Sequence, residues 1–366
     1  MRADRLGVVV AEASQSTRGD AGAPTGVLLV NLGTPERPET GPVRRYLREF
    51  LSDPRVLTLP APLRWLLLNL VILPTRPRKT AAAYRKIWLP EGSPLRVHSE
   101  ALTAHVRDAL GDGFRVELAM RYGEPSIAHG LEALERAGTD RLIVLPLFPQ
   151  YASAVTASVA SEVFRCLERT QDMPPLEILG AFYDEPEFAR CWAAITMPEL
   201  AAFGADHVLF SYHGLPADQI RASDPTHGHC LARPDCCERP GPALRRCYRA
   251  QCFVTTDALV AALGLDPART STTFQSRLGP RAWIEPYTDV ELPKLAEQGI
   301  RRLAVFCPSF VADCLETLEE VGIRLREQWR ELGGEDLWLA PCPNGDARFG
   351  RAVADWIRRR APAPRR

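Results

Sequence analysis

His207-Val208-Leu209-Phe210-Ser211-Tyr212-His213-Gly214-Leu215-Pro216 runs from apolar, β-prone residues straight into a turn punctuated by Gly and Pro, with an imidazole at the bend. Continuous apolar character, as opposed to strict alternation, is the mark of a strand covered by helices on both faces of a parallel sheet. Comparable runs recur at 26–30, 115–120, 142–147, 176–179, 272–274 and 302–306. Helical patterns separate them at 42–51, 98–111, 126–137, 155–169, 186–203, 245–263, 292–298, 312–332 and 346–359. Strand alternating with helix predicts an α/β protein built from right-handed crossovers. The order runs twice, before and after about residue 180, so two similar doubly wound domains are expected, with parallel sheets and an active-site cleft between them at the carboxyl ends of the strands.

With 366 residues, 46% apolar and 25% charged, the chain is long enough for two full cores. Lys plus Arg equals Asp plus Glu at 45 each, which removes any global charge argument for nucleic acid. Residues 1–25 carry charge, Ala, Ser and Gly without a long apolar stretch and read as a disordered lead, not a secretory signal, so cytoplasmic residence is expected. The first domain is expected over 26–178 with an apolar lip at 61–79, and the second over 179–366 with a cysteine-rich insert at 224–252. Cys230, Cys236, Cys237, Cys247 and Cys252 crowd into 23 residues, half of the chain's ten cysteines. In a reducing compartment structural disulfides are rare, so the cluster points to soft-metal or redox chemistry.

The stretch 63–73 is almost wholly apolar but is only eleven residues long and is broken by Arg64 and Asn69, too short to span a bilayer. Pro74, Arg76, Pro77, Arg78 and Lys79 follow as a basic collar. The segment reads either as a buried core helix or as a lip, with Leu67, Leu68 and Val71 lining its mouth, that admits a lipophilic substrate or rests peripherally on an anionic membrane.

Six stretches taken together resemble the ferrochelatases, which insert ferrous iron into a porphyrin: 30–35 (VNLGTP), 92–95 (GSPL), 121–123 (RYG), 148–151 (FPQY), 211–216 (SYHGLP) and 312–320 (ADCLETLEE). They fall in order and span roughly 26–358. The resemblance implies two Rossmann-like domains enclosing a porphyrin cleft, with His213 and Glu316 at the metal-insertion centre. It further implies protoporphyrin IX as substrate and protoheme as product, coproporphyrin being the alternative ring.

The chemistry makes a matching demand. Metallating a free-base porphyrin removes two pyrrole N–H protons and installs a divalent cation, so a proton acceptor, a proton exit and a transient ligand are needed. His213 suits the first, since imidazole is a neutral acceptor near neutral pH. Glu316 and Glu320 lie four apart on one helix face, with Glu319 on an adjoining track, and a carboxylate row can carry protons out or pass a hydrated cation in. Some relatives carry a second His two residues before this Glu, where this chain has Cys314, so a two-His centre is not expected. Arg121 with Tyr122, and Gln150 with Tyr151, close two strands at their carboxyl ends and are expected to bind substrate, Arg through a propionate and Tyr against the macrocycle.

Some ferrochelatases hold a 2Fe-2S cluster, and the internal cysteine segment is similar to one variant of that arrangement. Cys230, Cys247 and Cys252 are then three ligands, with Cys236 and Cys237 competing for the fourth place. His227 and His229 make a tetrahedral zinc site the rival. The functional alternatives are a chelatase and a noncatalytic iron-sulfur or porphyrin-binding sensor; His213 with Glu316 favours the enzyme.

Overall fold

The computed structural model describes residues 23–361 except Arg169, Pro240 and Pro280. The expected N-terminal lead lies outside the described residues up to residue 22, and Thr25 already begins the first strand. In chain order come β1 (Thr25–Gly33), α1 (Thr40–Ser52), α2 (Ala61–Leu66), a π-helical segment Leu67–Ile72 running into α3 (Leu73–Ile87), and α4 (Pro94–Leu110). Then follow β2 (Phe114–Tyr122), α5 (Ile127–Arg136), β3 (Arg141–Pro146), a π turn Ser153–Ala157 leading into α6 (Ser158–Leu167), β4 (Leu176–Ile178) and α7 (Pro186–Phe203). The second half holds β5 (His207–His213), α8 (Ala217–Ser223), α9 (Tyr248–Leu263), β6 (Thr270–Gln275), α10 (Thr288–Glu297) and β7 (Arg302–Phe306). A π-helical stretch Leu315–Leu325 continues as α11 (Arg326–Glu331), followed by β8 (Asp336–Leu339) and α12 (Ala347–Arg360).

The expected repeat is present. One parallel sheet has the order β2-β1-β3-β4 and the other β6-β5-β7-β8, the same topology twice. Three stretches were not legible as elements in the sequence: α8, β8 and most of 61–87. Strand β8 is a four-residue edge strand, too short for a periodic signal, and it forms because β7 offers Arg302–Val305 as partners. Residues 61–87 are helical throughout, although Pro74 and Pro77 obscured the pattern.

Residues from both halves enter one large apolar core, in which Phe182, Phe188, Trp192, Phe306, Phe349 and Trp356 are linked ring to ring at 5.0–6.5 Å. The last helix, α12, belongs to the second half by sequence but packs on α4 of the first. Glycine permits that approach: a Cβ at Gly350 would sit 2.5 Å from His105 Cβ. Each sheet's outer face buries its own cluster, Leu28, Val30 and Val144 in the first sheet, Leu209, Leu303 and Val305 in the second.

The apolar segment divides in two. Leu68 is only 3% exposed and packs with Tyr46, Leu47, Leu73, Tyr84 and Tyr122, so its expected place at a mouth is corrected to the core beneath it. Leu63, Trp65, Leu66, Leu70 and Val71 turn outward, Leu70 being 64% exposed. A π segment here lets a short apolar run bury Leu68 and Leu73 while presenting a broad exposed face. Among the described residues no helix is long and apolar enough to cross a membrane.

Candidate active site

In an open parallel sheet the crevice forms where strand order reverses, at the carboxyl ends. In the second sheet that point lies between β5 and β7, and there stand His213, Ser309 and Phe310. The two sheets meet at these ends: Gln150, after β3, donates its amide to the Pro308 carbonyl at 3.3 Å and to Thr255 Oγ1 at 3.0 Å.

His213 closes β5 opposite Gln275 of β6. Its Nδ1 lies 2.7 Å from the Gly214 carbonyl, which only accepts, so in the neutral ring Nδ1 carries the proton and Nε2 the lone pair. Gly214 is required by close approach, since a Cβ there would sit 2.9 Å from the Gln275 carbonyl. The His213 ring stands edge-on to Phe310, centroids 6.4 Å apart.

The carboxylates come from the π-helical stretch Leu315–Leu325, capped by Cys314 and by Asp313, whose Oδ1 accepts from Thr317 Oγ1 at 3.0 Å. Asp313 is held by a two-way pair with Asn344: Asn344 Nδ2 donates to Oδ2 at 2.7 Å and Asp313 N–H donates to Asn344 Oδ1 at 2.8 Å. Gln275 joins this stretch to the His213 strand by donating to the Glu316 carbonyl at 3.0 Å while accepting from Ser211 Oγ at 2.7 Å. Glu320 accepts from Ser276 N–H at 3.0 Å and Ser276 Oγ at 2.7 Å. Burial pushes the Glu320 carboxyl up; Ser276 opposes this, Glu316 adds to it, and His213 and Arg324 draw it back without cancelling it. His213, Glu316 and Glu320 therefore share one electrostatic site. Glu319 faces elsewhere, paired with Lys86 of α3 at 3.4 Å and Arg324 at 2.8 Å. The tyrosines 46 and 84 line the Glu316 side, both with hydroxyls held protonated first by burial and then by neighbouring charge, Glu316 included.

The four expected substrate contacts separate. Arg121 binds Asp53 Oδ2 at 2.8 Å and Ser158 Oγ at 2.7 Å, and Tyr122 donates to the same Asp53 oxygen at 2.9 Å. Burial pulls the Asp53 carboxyl up, but hydrogen bonds from Ser158, the Arg55 backbone and Tyr122, with the charge of Arg121, hold it below the usual range. That network holds Arg121 Nε and Nη2 and the Tyr122 hydroxyl on Asp53 and Ser158, which locks α1 and α6 to β2. Gln150 is likewise a buried tie between the halves. Only Tyr151 keeps an exposed ring, its backbone N–H anchored on Gln251 Oε1 at 2.7 Å. Ser276, Gln275, Ser309 and Tyr248 had no signal in the sequence, because each acts through a tertiary hydrogen bond.

The cysteines of the insert are neighbours in the fold. Asp224 organises its start by accepting from the His229 and Cys230 N–H groups at 2.7 and 2.8 Å. Cys236 and Cys237 Sγ are 4.0 Å apart, Cys247 lies in hydrogen-bonding reach of both Cys230 and Cys237, and Arg249 donates to Cys237 Sγ at 3.2 Å. The Cys237 thiol is pushed up first by Cys247 and then by burial, and those of Cys230, Cys236 and Cys252 first by burial. Among the described residues no three His, Cys, Asp or Glu side chains are arranged to hold a metal ion. His229 does not join the thiols: its Nε2 lies 2.7 Å from the Cys236 carbonyl.

Two parallel sheets meeting at one crevice, with His213, Glu316 and Glu320 within one another's electrostatic reach, fit a chelatase-type α/β enzyme. The ferrochelatase family model matches residues 24–361. The chain is 46% identical to a ferrochelatase of Coxiella burnetii (strain Dugway 5J108-111) over 90% of this chain and 92% of that one, and 49% identical to one of Stutzerimonas stutzeri (strain A1501) over 87% and 93%. Among solved structures it is similar in fold to SirB from Bacillus subtilis with Fe3+, at TM-score 0.52 and 12% identity, covering 92% of this chain and 94% of that one. This chain belongs to the ferrochelatase family. It is a metal chelatase of the lyase class that inserts iron into protoporphyrin for heme synthesis.

A carboxyl with a raised folded pKa adds stability that is full below the unfolded value, about 4.3, and is lost as pH rises through the folded value. Glu320→Gln, which keeps the neutral form, is therefore expected to raise the melting temperature at about pH 8 and to gain little near pH 4. Thermal unfolding across that range checks it; a difference independent of pH would mean that Glu320 carries no burial cost.

Proposed function

We propose that His213 Nε2 removes the pyrrole protons and that Glu316 and Glu320 form the exit and the approach for the cation. The observation that carries this is the Nδ1 bond to the Gly214 carbonyl, which leaves Nε2 as an acceptor beside the two glutamates. Each proton passes from a pyrrole nitrogen to Nε2 and then to the carboxylates. Burial raises the Glu320 carboxyl's hold on a proton, which suits it to receive one from the site and yield it to solvent. Ferrous iron, the other substrate, replaces the two protons at the four nitrogens without change of oxidation state. Ring strain supplied by binding the rest of the macrocycle turns a nitrogen lone pair toward the metal. The exposed Tyr151 ring lies against the macrocycle in this reading, which extends to protoporphyrin IX as the ring and protoheme as the product. The domains are taken as 26–178 and 179–366.

Two peripheral features complete the proposal. Four of the five clustered thiols, Cys230, Cys247, Cys252 and one of Cys236 and Cys237, close on a 2Fe-2S cluster. Support comes from the thiol contacts of Cys230 and Cys237 with Cys247 and of Cys236 with Cys237, with Arg249 donating to Cys237 and Cys252 within its electrostatic reach. The cluster supplies no electron to the insertion, which needs none. The outward face of Leu63, Trp65, Leu66, Leu70 and Val71, followed by exposed Arg76, Arg78 and Lys79, rests on the anionic cytoplasmic surface of a membrane.

His213→Ala is expected to lose on the order of 10² to 10⁴ in iron insertion with porphyrin binding retained, and Glu316→Gln to follow it; absorbance of the porphyrin bands under anaerobic conditions measures both. A near-native rate for His213→Ala removes it from the chemistry. Aerobically purified protein is expected to be reddish-brown with about two irons per chain, the colour bleached by Ser at Cys230, Cys247 or Cys252. Stoichiometric zinc in a colourless protein points to the rival site. Leu70→Ser with Trp65→Ser should weaken flotation with phosphatidylserine vesicles at little cost in stability, whereas Leu68→Ala should cost about 2–5 kcal/mol. Unaltered vesicle binding sets the membrane role aside.

A further inference from the structure

We infer that Tyr248 is the positioning residue for His213, and that through it the cysteine segment acts on the insertion chemistry. The inference rests on His213 being the proton acceptor. In a parallel strand, alternate residues turn their backbone polar groups to opposite neighbours. Gly214 turns its N–H to Gln275 of β6 at 2.8 Å, so His213 turns to the β7 side. There β7 has already stopped, its last paired residue being Phe306 opposite Phe210. Two hydroxyls take the place of the missing strand. Tyr248 Oη donates to the His213 carbonyl at 2.7 Å, Ser309 Oγ accepts from the His213 N–H at 3.1 Å, and the two hydroxyls lie 2.9 Å apart. The result is a closed ring of hydrogen bonds around the backbone of the acceptor residue, set on the buried side of the crevice.

Tyr248 is 6% exposed and is the first residue of α9, which ties it to the thiols at both ends. Cys247 precedes it directly and touches Cys230 and Cys237; Cys252 stands one turn later with its thiol against the Tyr248 hydroxyl. A shift of this segment, from thiol oxidation or from what the thiols bind, moves the hydroxyl that fixes His213. The ring itself lies beyond the ligand set and uses no thiol chemistry. Misplacing an acceptor by about 1 Å costs on the order of a hundredfold in rate while leaving the rest of the substrate contacts intact.

Tyr248→Phe keeps the buried ring and removes only the hydroxyl. It is expected to lower kcat about ten- to hundredfold with the KM for protoporphyrin little changed, and to shift the His213 ring resonances in spectra of ¹⁵N-histidine-labelled protein. Ser309→Ala, on a half-buried loop, is expected to give the same signature, and the double variant no more than the larger single effect. Cys252→Ser is expected to shift the His213 resonances in the otherwise native chain but not in Tyr248→Phe. Native kcat and unmoved resonances in both Tyr248→Phe and Ser309→Ala overturn the positioning role, and a Cys252→Ser shift of equal size in both backgrounds overturns the coupling. If His213→Ala is itself active the acceptor assignment has failed; if it is inactive while Tyr248→Phe is native, only this inference has.

Discussion

The site depends on two parallel sheets being held with their carboxyl ends at one crevice. Apolar burial does most of this: the rings of Phe182, Phe188, Trp192, Phe306, Phe349 and Trp356 form one connected mass between the halves, and α12 crosses from the second half to pack on α4. Such a core is non-directional, and it leaves alignment at the crevice to polar contacts. Gln150 supplies one, since its amide bonds the Pro308 carbonyl and Thr255 across the junction, and an unmade bond there would leave a buried donor unsatisfied.

The chemistry then follows from where charges are allowed to sit. One imidazole is fixed in a single tautomer by the carbonyl of the next residue. Two glutamates share its surroundings, and burial drives Glu320 toward the protonated form. The third, Glu319, is withdrawn by Lys86 and Arg324 although it is a sequence neighbour. The π-helical stretch that carries them is an uncommon conformation found often at functional sites, and Gln275 holds its beginning to the strand that ends in His213.

Charge elsewhere is consumed by the frame. Arg121, Tyr122 and Ser158 converge on the one carboxylate of Asp53, and the low dielectric around that cluster makes it costly to open. A strand-end Arg beside a Tyr looks like a ligand pair from sequence; whether the guanidinium is available depends on a residue 68 positions earlier in the chain.

Residue order alone carries the α/β class, the doubled topology and most elements, because parallel strands buried on both faces need unbroken apolar runs and their helices show a 3.6-residue period. It also showed His213, Glu316, Glu320 and the five crowded cysteines, since their side-chain chemistry is written in the residue type. Long-range packing puts Leu68 in the core and Leu70 at the surface, forms β8, and sets Arg121 and Tyr122 on Asp53. The same packing brings Gln275, Ser276, Ser309 and Tyr248 to the site. The reason is common to all of these: burial and hydrogen-bond partnership are properties of pairs distant in the chain, and a one-dimensional pattern carries the preference of each residue but not the identity of the neighbour that satisfies it.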